Sequence, residues 1–86
     1  MAKVVAYTVD YCPWCRKAKK LLNEKGIEFE EIDITPTEDE MRKKLGGMTG
    51  GKTTVPQIFI NDKSIGGFTD LQELNESGKL DELLKS

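Results

Sequence analysis

The stretch KVVAYTVDYCPWCRKAKKLLNEKG, residues 3–26, reads as a strand, a tight connection holding two cysteines, and a helix closed by glycine. Lys3 to Val9 is rich in Val and Tyr and mostly apolar, which suits a central strand covered on both faces. Pro13 fits the first helical position, where its missing N–H has no intrahelical partner to lose. Trp14, Ala18, Leu21 and Leu22 recur at helical spacing and predict one buried stripe, with Gly26 as the C-terminal cap. Cys12 then stands at the mouth of the helix, where backbone N–H groups lack intrahelical acceptors and the dipole favours a thiolate. The thiolate is the reactive form, which marks Cys12 as the expected nucleophile. Cys15 lies one turn further along the same side, so the pair can close and reopen a disulfide.

Two other uses of a cysteine pair compete with redox chemistry. Free cysteines often only pack as small hydrophobes, but the strand before and the helix after this C-x-x-C favour the redox reading. A zinc site normally takes four ligands, and the chain has two cysteines and no histidine. In a reducing compartment a lone C-x-x-C is more readily a cycling pair than a structural staple.

Eighty-six residues are enough for one domain, residues 1–86. A net charge of -2 offers a nucleic acid no global attraction. The local exception is Arg16, Lys17, Lys19 and Lys20, read as a solvated helix face that also flanks the thiols and could draw an acidic substrate. No signal-peptide pattern opens the chain and no apolar run approaches a membrane span, so a cytoplasmic protein with no membrane partner is expected.

Beyond residue 26, Ile27 to Ile34 predicts a second strand whose apolar phase shifts between Phe29 and Ile32, as in a strand covered on both sides or one with a bulge. Thr35/Glu38 and Thr37/Glu40 are two overlapping capping boxes ahead of a helix carrying Met41 and Leu45, with Gly46-Gly47 as its end. Val55 to Ile60 predicts a third strand, Asn61-Asp62-Lys63 a turn, and Ser64 to Gly66 a fourth strand completing a hairpin. Thr69-Asp70 caps a helix with Leu71 and Leu74 inward, Gly78 breaks it, and Leu80, Leu83 and Leu84 form a last helical stripe. A helical crossover makes the first two strands parallel and a short turn makes the last two antiparallel, so the sheet is mixed. The cysteine loop falls at the carboxyl end of the first strand, where open sheets carry their sites. Residues 46–53, GGMTGGKT, match a phosphate-loop pattern, but that loop needs a strand before it and a helix after it. Here the order is reversed, and nucleotide binding is not expected.

Cys12-Pro13-Trp14-Cys15, Thr54-Val55-Pro56 and Gly66-Gly67 followed by Thr69-Asp70 together resemble the dithiol glutaredoxins, over essentially the whole chain. The resemblance implies a thioredoxin-like α/β fold, a four-stranded sheet in order 4-3-1-2 with strand 3 antiparallel. It also implies a cis peptide before Pro56. The implied activity is glutathione-dependent reduction of protein–glutathione mixed disulfides and protein disulfides, with Cys12 as nucleophile and Cys15 as resolving thiol. Glutathione is then a cosubstrate, and no tightly bound cofactor or metal is expected. The partners are glutathionylated or disulfide-containing proteins, and the protein acts as a monomer.

For glutathione, the resemblance implies contacts from Trp14, Lys52, Thr54, Val55, Pro56, Gly67, Thr69 and Asp70, supported by Pro13, Arg16 and Gly66. The Val55 backbone pairs with the extended tripeptide, Lys52 faces the glycyl carboxylate, and the helix start at Thr69-Asp70 receives the γ-glutamyl end. Taken without the resemblance, Gly66-Gly67 reads equally as a tight turn and Asp70 as a cap. Two residues depart from the family pattern: Val9 stands where many members carry a lysine, and Trp14 replaces the more frequent tyrosine. Trp14 could equally join the core stripe or offer a docking surface. Two other uses known in the family are a glutathione-ligated [2Fe-2S] carrier dimer and an electron donor to ribonucleotide reductase. Pro13 stiffens the loop where cluster-carrying members usually have glycine or serine.

Overall fold

The computed structural model describes residues 2–85. Strand β1, Val4–Thr8, is followed by helix α1, Pro13–Glu24, strand β2, Glu30–Asp33, a 3-10 turn over Thr35–Thr37 and helix α2, Glu38–Thr49. Strands β3, Gln57–Ile60, and β4, Lys63–Gly66, and helices α3, Phe68–Ser77, and α4, Lys79–Leu84, complete the chain. The sheet runs β2-β1-β3-β4, with β1 parallel to β2 and antiparallel to β3, and β3 antiparallel to β4. Order and directions are those expected.

Alternation along β1 divides the core. Val4 and Ala6 face Ala18 and Leu22 of α1, Leu71 of α3 and Leu80 of α4, whereas Val5 joins Phe59, Ile34 and Leu45 on the side of α2. Segment 27–34 shows why its apolar phase shifts: Ile27 and Phe29 pack on the first face, Ile32 and Ile34 on the second. Its pairing with β1 runs without a break, so there is no bulge: the segment places apolar residues on both faces at its two ends, while Glu30, Glu31 and Asp33 of β2 itself stay exposed. The irregularity lies at the other edge, between Ile58 and Phe59 where they pair with β4.

The helix ends follow their sequence signals in part. Gly26, at φ 68, closes α1 while the N–H groups of Gly26 and Ile27 donate to the carbonyls of Asn23 and Leu22 at 3.0 and 2.9 Å. This two-bond closure satisfies carbonyls that the helix itself leaves open. Gly46-Gly47 does not end α2, contrary to expectation; the helix continues to Thr49 and stops at Gly50, φ 77. Neither glycine takes a positive φ, and a Cβ on Gly46 would lie 3.1 Å from Thr53 Cγ2, so close packing accounts for that glycine. Neither predicted capping box forms at the start of α2. Thr35 instead accepts from the Asp10 N–H at 2.9 Å, and its own N–H donates to Asp33 Oδ1 at 2.9 Å.

The third strand begins at Gln57 rather than Val55, because Pro56 has no N–H to give the ladder. The Val55-Pro56 peptide is cis, as the resemblance implies. Asn61 and Asp62, at φ 52 and 66, make a two-residue turn, so Lys63 already belongs to β4. The strand directions bring the end of β1, the start of β3 and the end of β4 to one edge of the sheet. Cys12, Val55-Pro56 and Gly66-Gly67 therefore share that edge.

Candidate thiol site

Cys12 is the N-cap of α1, with extended backbone at φ -99 and ψ 115. Its Sγ accepts the Cys15 backbone N–H at 3.2 Å and donates to the Val55 carbonyl at 3.9 Å. A charge on this sulfur would be met by an N–H that the helix leaves without a partner. Cys12 retains 9% of its surface and Cys15 none. Burial pushes the Cys15 thiol up to about 12, and its hydrogen bond with Cys12 adds to the shift. Both cysteines are reduced. Cys12 at the helix mouth is thus the less buried of the two thiols, and its neighbour is kept protonated beneath it.

Trp14 is 52% exposed and does not join the core stripe, where Cys15, Ala18 and Leu22 stand instead. Its ring tilts against Phe68, centroids 5.9 Å apart, with Lys17 Nζ 4.4 Å from the ring. Pro13 holds the first helical position. The basic run is largely committed to its own fold: Arg16 donates to the Asp10 carbonyl at 3.3 Å and Lys19 pairs with Glu31 at 2.8 Å.

The second wall is Thr54-Val55-Pro56, in which Thr54 Oγ1 accepts from the buried Gln57 amide at 3.2 Å. The third is the entry to α3. Gly67 is its N-cap, two residues ahead of the predicted Thr69, and Asp70 at the third helical position accepts the Gly67 N–H at 3.0 Å. Asp70 therefore does cap the helix. A Cβ on Gly67 would lie 3.3 Å from the Pro56 carbonyl, and one on Gly66, at φ 114, would strike the Asp70 carboxylate. Gly66 is required by that contact and by its backbone, and Gly67 packs tightly on Pro56. Lys52 and Thr69 are exposed.

Sequence reasoning passed over a set of polar residues beside the cysteines. Tyr11, 59% exposed, donates its hydroxyl to Glu38, 2.6 Å from both carboxylate oxygens. Glu38 accepts from Arg42 Nε at 2.9 Å, and Arg42 Nη1 donates to the Thr53 carbonyl at 2.9 Å. The Tyr11 hydroxyl, and after it Arg42, holds Glu38 below the usual carboxylate range, and Glu38 in turn raises Tyr11. Only the i, i+4 spacing of Glu38 and Arg42 was visible as a signal.

A family model described as Glutaredoxin matches residues 4–65. Glutaredoxin 3 of Escherichia coli (strain K12) is 47% identical across 99% of this chain and 100% of its own length. The solution structure of glutaredoxin from Brucella melitensis superposes with a TM-score of 0.85 at 47% identity, covering 99% of this chain and 90% of that one. A buckwheat glutaredoxin–glutathione complex gives 0.89 at 31% identity, covering 98% and 77%. The thiol pair at a helix start, the sheet order and these likenesses agree: the chain belongs to the glutaredoxin family of thiol–disulfide oxidoreductases.

Proposed function

We propose that this protein is a single-domain, monomeric glutathione-dependent reductase of protein–glutathione mixed disulfides and protein disulfides, holding no cofactor tightly. The observation that carries the reading is Cys12 Sγ at the start of α1, 3.2 Å from the Cys15 N–H and 3.9 Å from the Val55 carbonyl. The glutathione bound to the buckwheat relative supports the choice of cosubstrate. Cys12 thiolate attacks the glutathionyl sulfur of a mixed disulfide, and the protein sulfur leaves as a thiolate that takes a proton from water. A second glutathione thiolate attacks the adduct, releasing glutathione disulfide and regenerating Cys12. With an ordinary disulfide, Cys12 forms the mixed disulfide, and Cys15, losing its proton, displaces the substrate and closes the Cys12–Cys15 bridge. Two glutathiones then reopen it.

The Val55 backbone pairs with the extended tripeptide, flanked by Thr54 and Pro56. Gly66 and Gly67 let it lie close, and the entry to α3 at Thr69 and Asp70 receives its γ-glutamyl group. Lys52 meets the glycyl carboxylate, and Trp14 offers an apolar platform beside the thiol. Pro13 and Arg16 brace the loop. Turnover of a glutathionylated protein by glutathione, coupled to glutathione reductase, tests the assignment. Cys12→Ser abolishes all turnover, whereas Cys15→Ser keeps deglutathionylation and loses reduction of ordinary disulfides. Loss of deglutathionylation in Cys15→Ser rejects the mechanism.

A further inference from the structure

The bonds from Tyr11 through Glu38 and Arg42 to Thr53 close a ring around the site. Tyr11 precedes the nucleophile, Thr53 begins the segment that presents Val55, and the Val55 carbonyl returns to Cys12 Sγ at 3.9 Å. Each link is short: 2.6 Å from Tyr11 to Glu38, 2.9 Å from Glu38 to Arg42 and 2.9 Å from Arg42 to Thr53. All three links involve a charged partner and are correspondingly strong, and the carboxylate and guanidinium balance each other's charge. The Thr53–Val55 segment needs such a tie. It lies outside the sheet, since β3 begins only at Gln57, and it follows the turn at Gly50-Gly51, both at positive φ. The ladder that fixes β1 therefore does not reach it.

We propose that Tyr11, Glu38 and Arg42 are positioning residues that strap the nucleophile loop to the segment presenting Val55. The strap sets the spacing between the attacking sulfur and the backbone on which the disulfide substrate is laid. This inference rests on the function proposed above, in which Val55 pairs with the glutathionyl group. A substrate must then be held by Val55 and reached by Cys12 at once, so slack between the two walls weakens productive binding. A small alkylating reagent needs only the sulfur and does not sense the strap.

Tyr11→Phe removes one hydroxyl, and Arg42→Lys keeps the charge while losing the fork that spans Glu38 and Thr53. Each is expected to lower kcat/KM for a glutathionylated peptide about fivefold, mainly through KM. The double variant is expected to lose little more than either single one, because both cut the same ring. Iodoacetamide alkylation of Cys12 stays at the parent rate, and amide exchange at Val55 quickens in each variant. Arg42→Gln, which keeps an amide donor without charge, separates bonding from charge: an intermediate KM supports the strap, and an unchanged one overturns it. Additive losses in the double variant, alkylation falling in step with turnover, or unaltered Val55 exchange would each overturn it as well. If the parent protein shows no glutathione-dependent turnover, the functional reading fails, and Val55 exchange alone then decides whether the strap exists.

Discussion

At the scale of single residues, the two cysteines differ because one caps a helix and the other is buried beneath it. Cys12 keeps 9% of its surface and an N–H aimed at its sulfur, whereas burial holds Cys15 protonated up to about 12 against an ordinary 9.0. This has a consequence for stability. In the unfolded chain the Cys15 thiol ionises near its ordinary value, so above that pH the unfolded state gains by releasing a proton that the folded, reduced state keeps. The contribution is intact below that value and is lost as pH climbs towards the folded one. Urea midpoints at about pH 8 and about pH 10 should show the reduced protein weakening more than the oxidised protein, whose disulfide has no thiol to titrate. Equal weakening of both forms contradicts the assignment. The cysteine pair was legible in the sequence, because spacing and a flanking helix define its chemistry locally. The Tyr11–Glu38 bond was not, since its partners stand 27 residues apart and no local pattern links them.

At the scale of elements, most boundaries were legible where a backbone requirement names its residue. Gly26 closes α1 and Gly78 closes α3, both at positive φ, and Asn61-Asp62 turns the hairpin. The misreadings share a cause: a residue that commonly ends or caps an element was retained for contacts elsewhere. Gly46 sits inside α2 under Thr53, and Glu38 serves Tyr11 and Arg42 in place of a capping threonine. Glycines therefore separate into classes that substitution can distinguish. Gly66→Ala forces a side chain into φ 114 and onto the Asp70 carboxylate, so a loss of about 1–3 kcal/mol is expected by urea denaturation. Gly47→Ala, in a helix with open space around it, should gain up to about 1 kcal/mol. Equal effects at the two positions would contradict the packing described for the α3 entry.

At the scale of the whole molecule, mixed strand directions do the assembling. Because β1 and β3 are antiparallel and β3 and β4 are antiparallel, three loops remote in sequence meet at one sheet edge. The order of strands and helices was enough to place the cysteine loop there. The approach of the Gly67 backbone to Pro56 follows from packing in three dimensions and had no sequence signal of its own. In the mechanism we propose, Cys12 alone receives the glutathionyl group at this edge. Intact-protein mass spectrometry of Cys15→Ser, exposed to a glutathionylated peptide and then to excess glutathione, tests it most directly. One glutathione adduct, mapped to Cys12, is expected to form as the free peptide appears and to disappear as glutathione disulfide is released. Release of the peptide without any adduct on Cys12, or transfer of the peptide itself to Cys12, would contradict it.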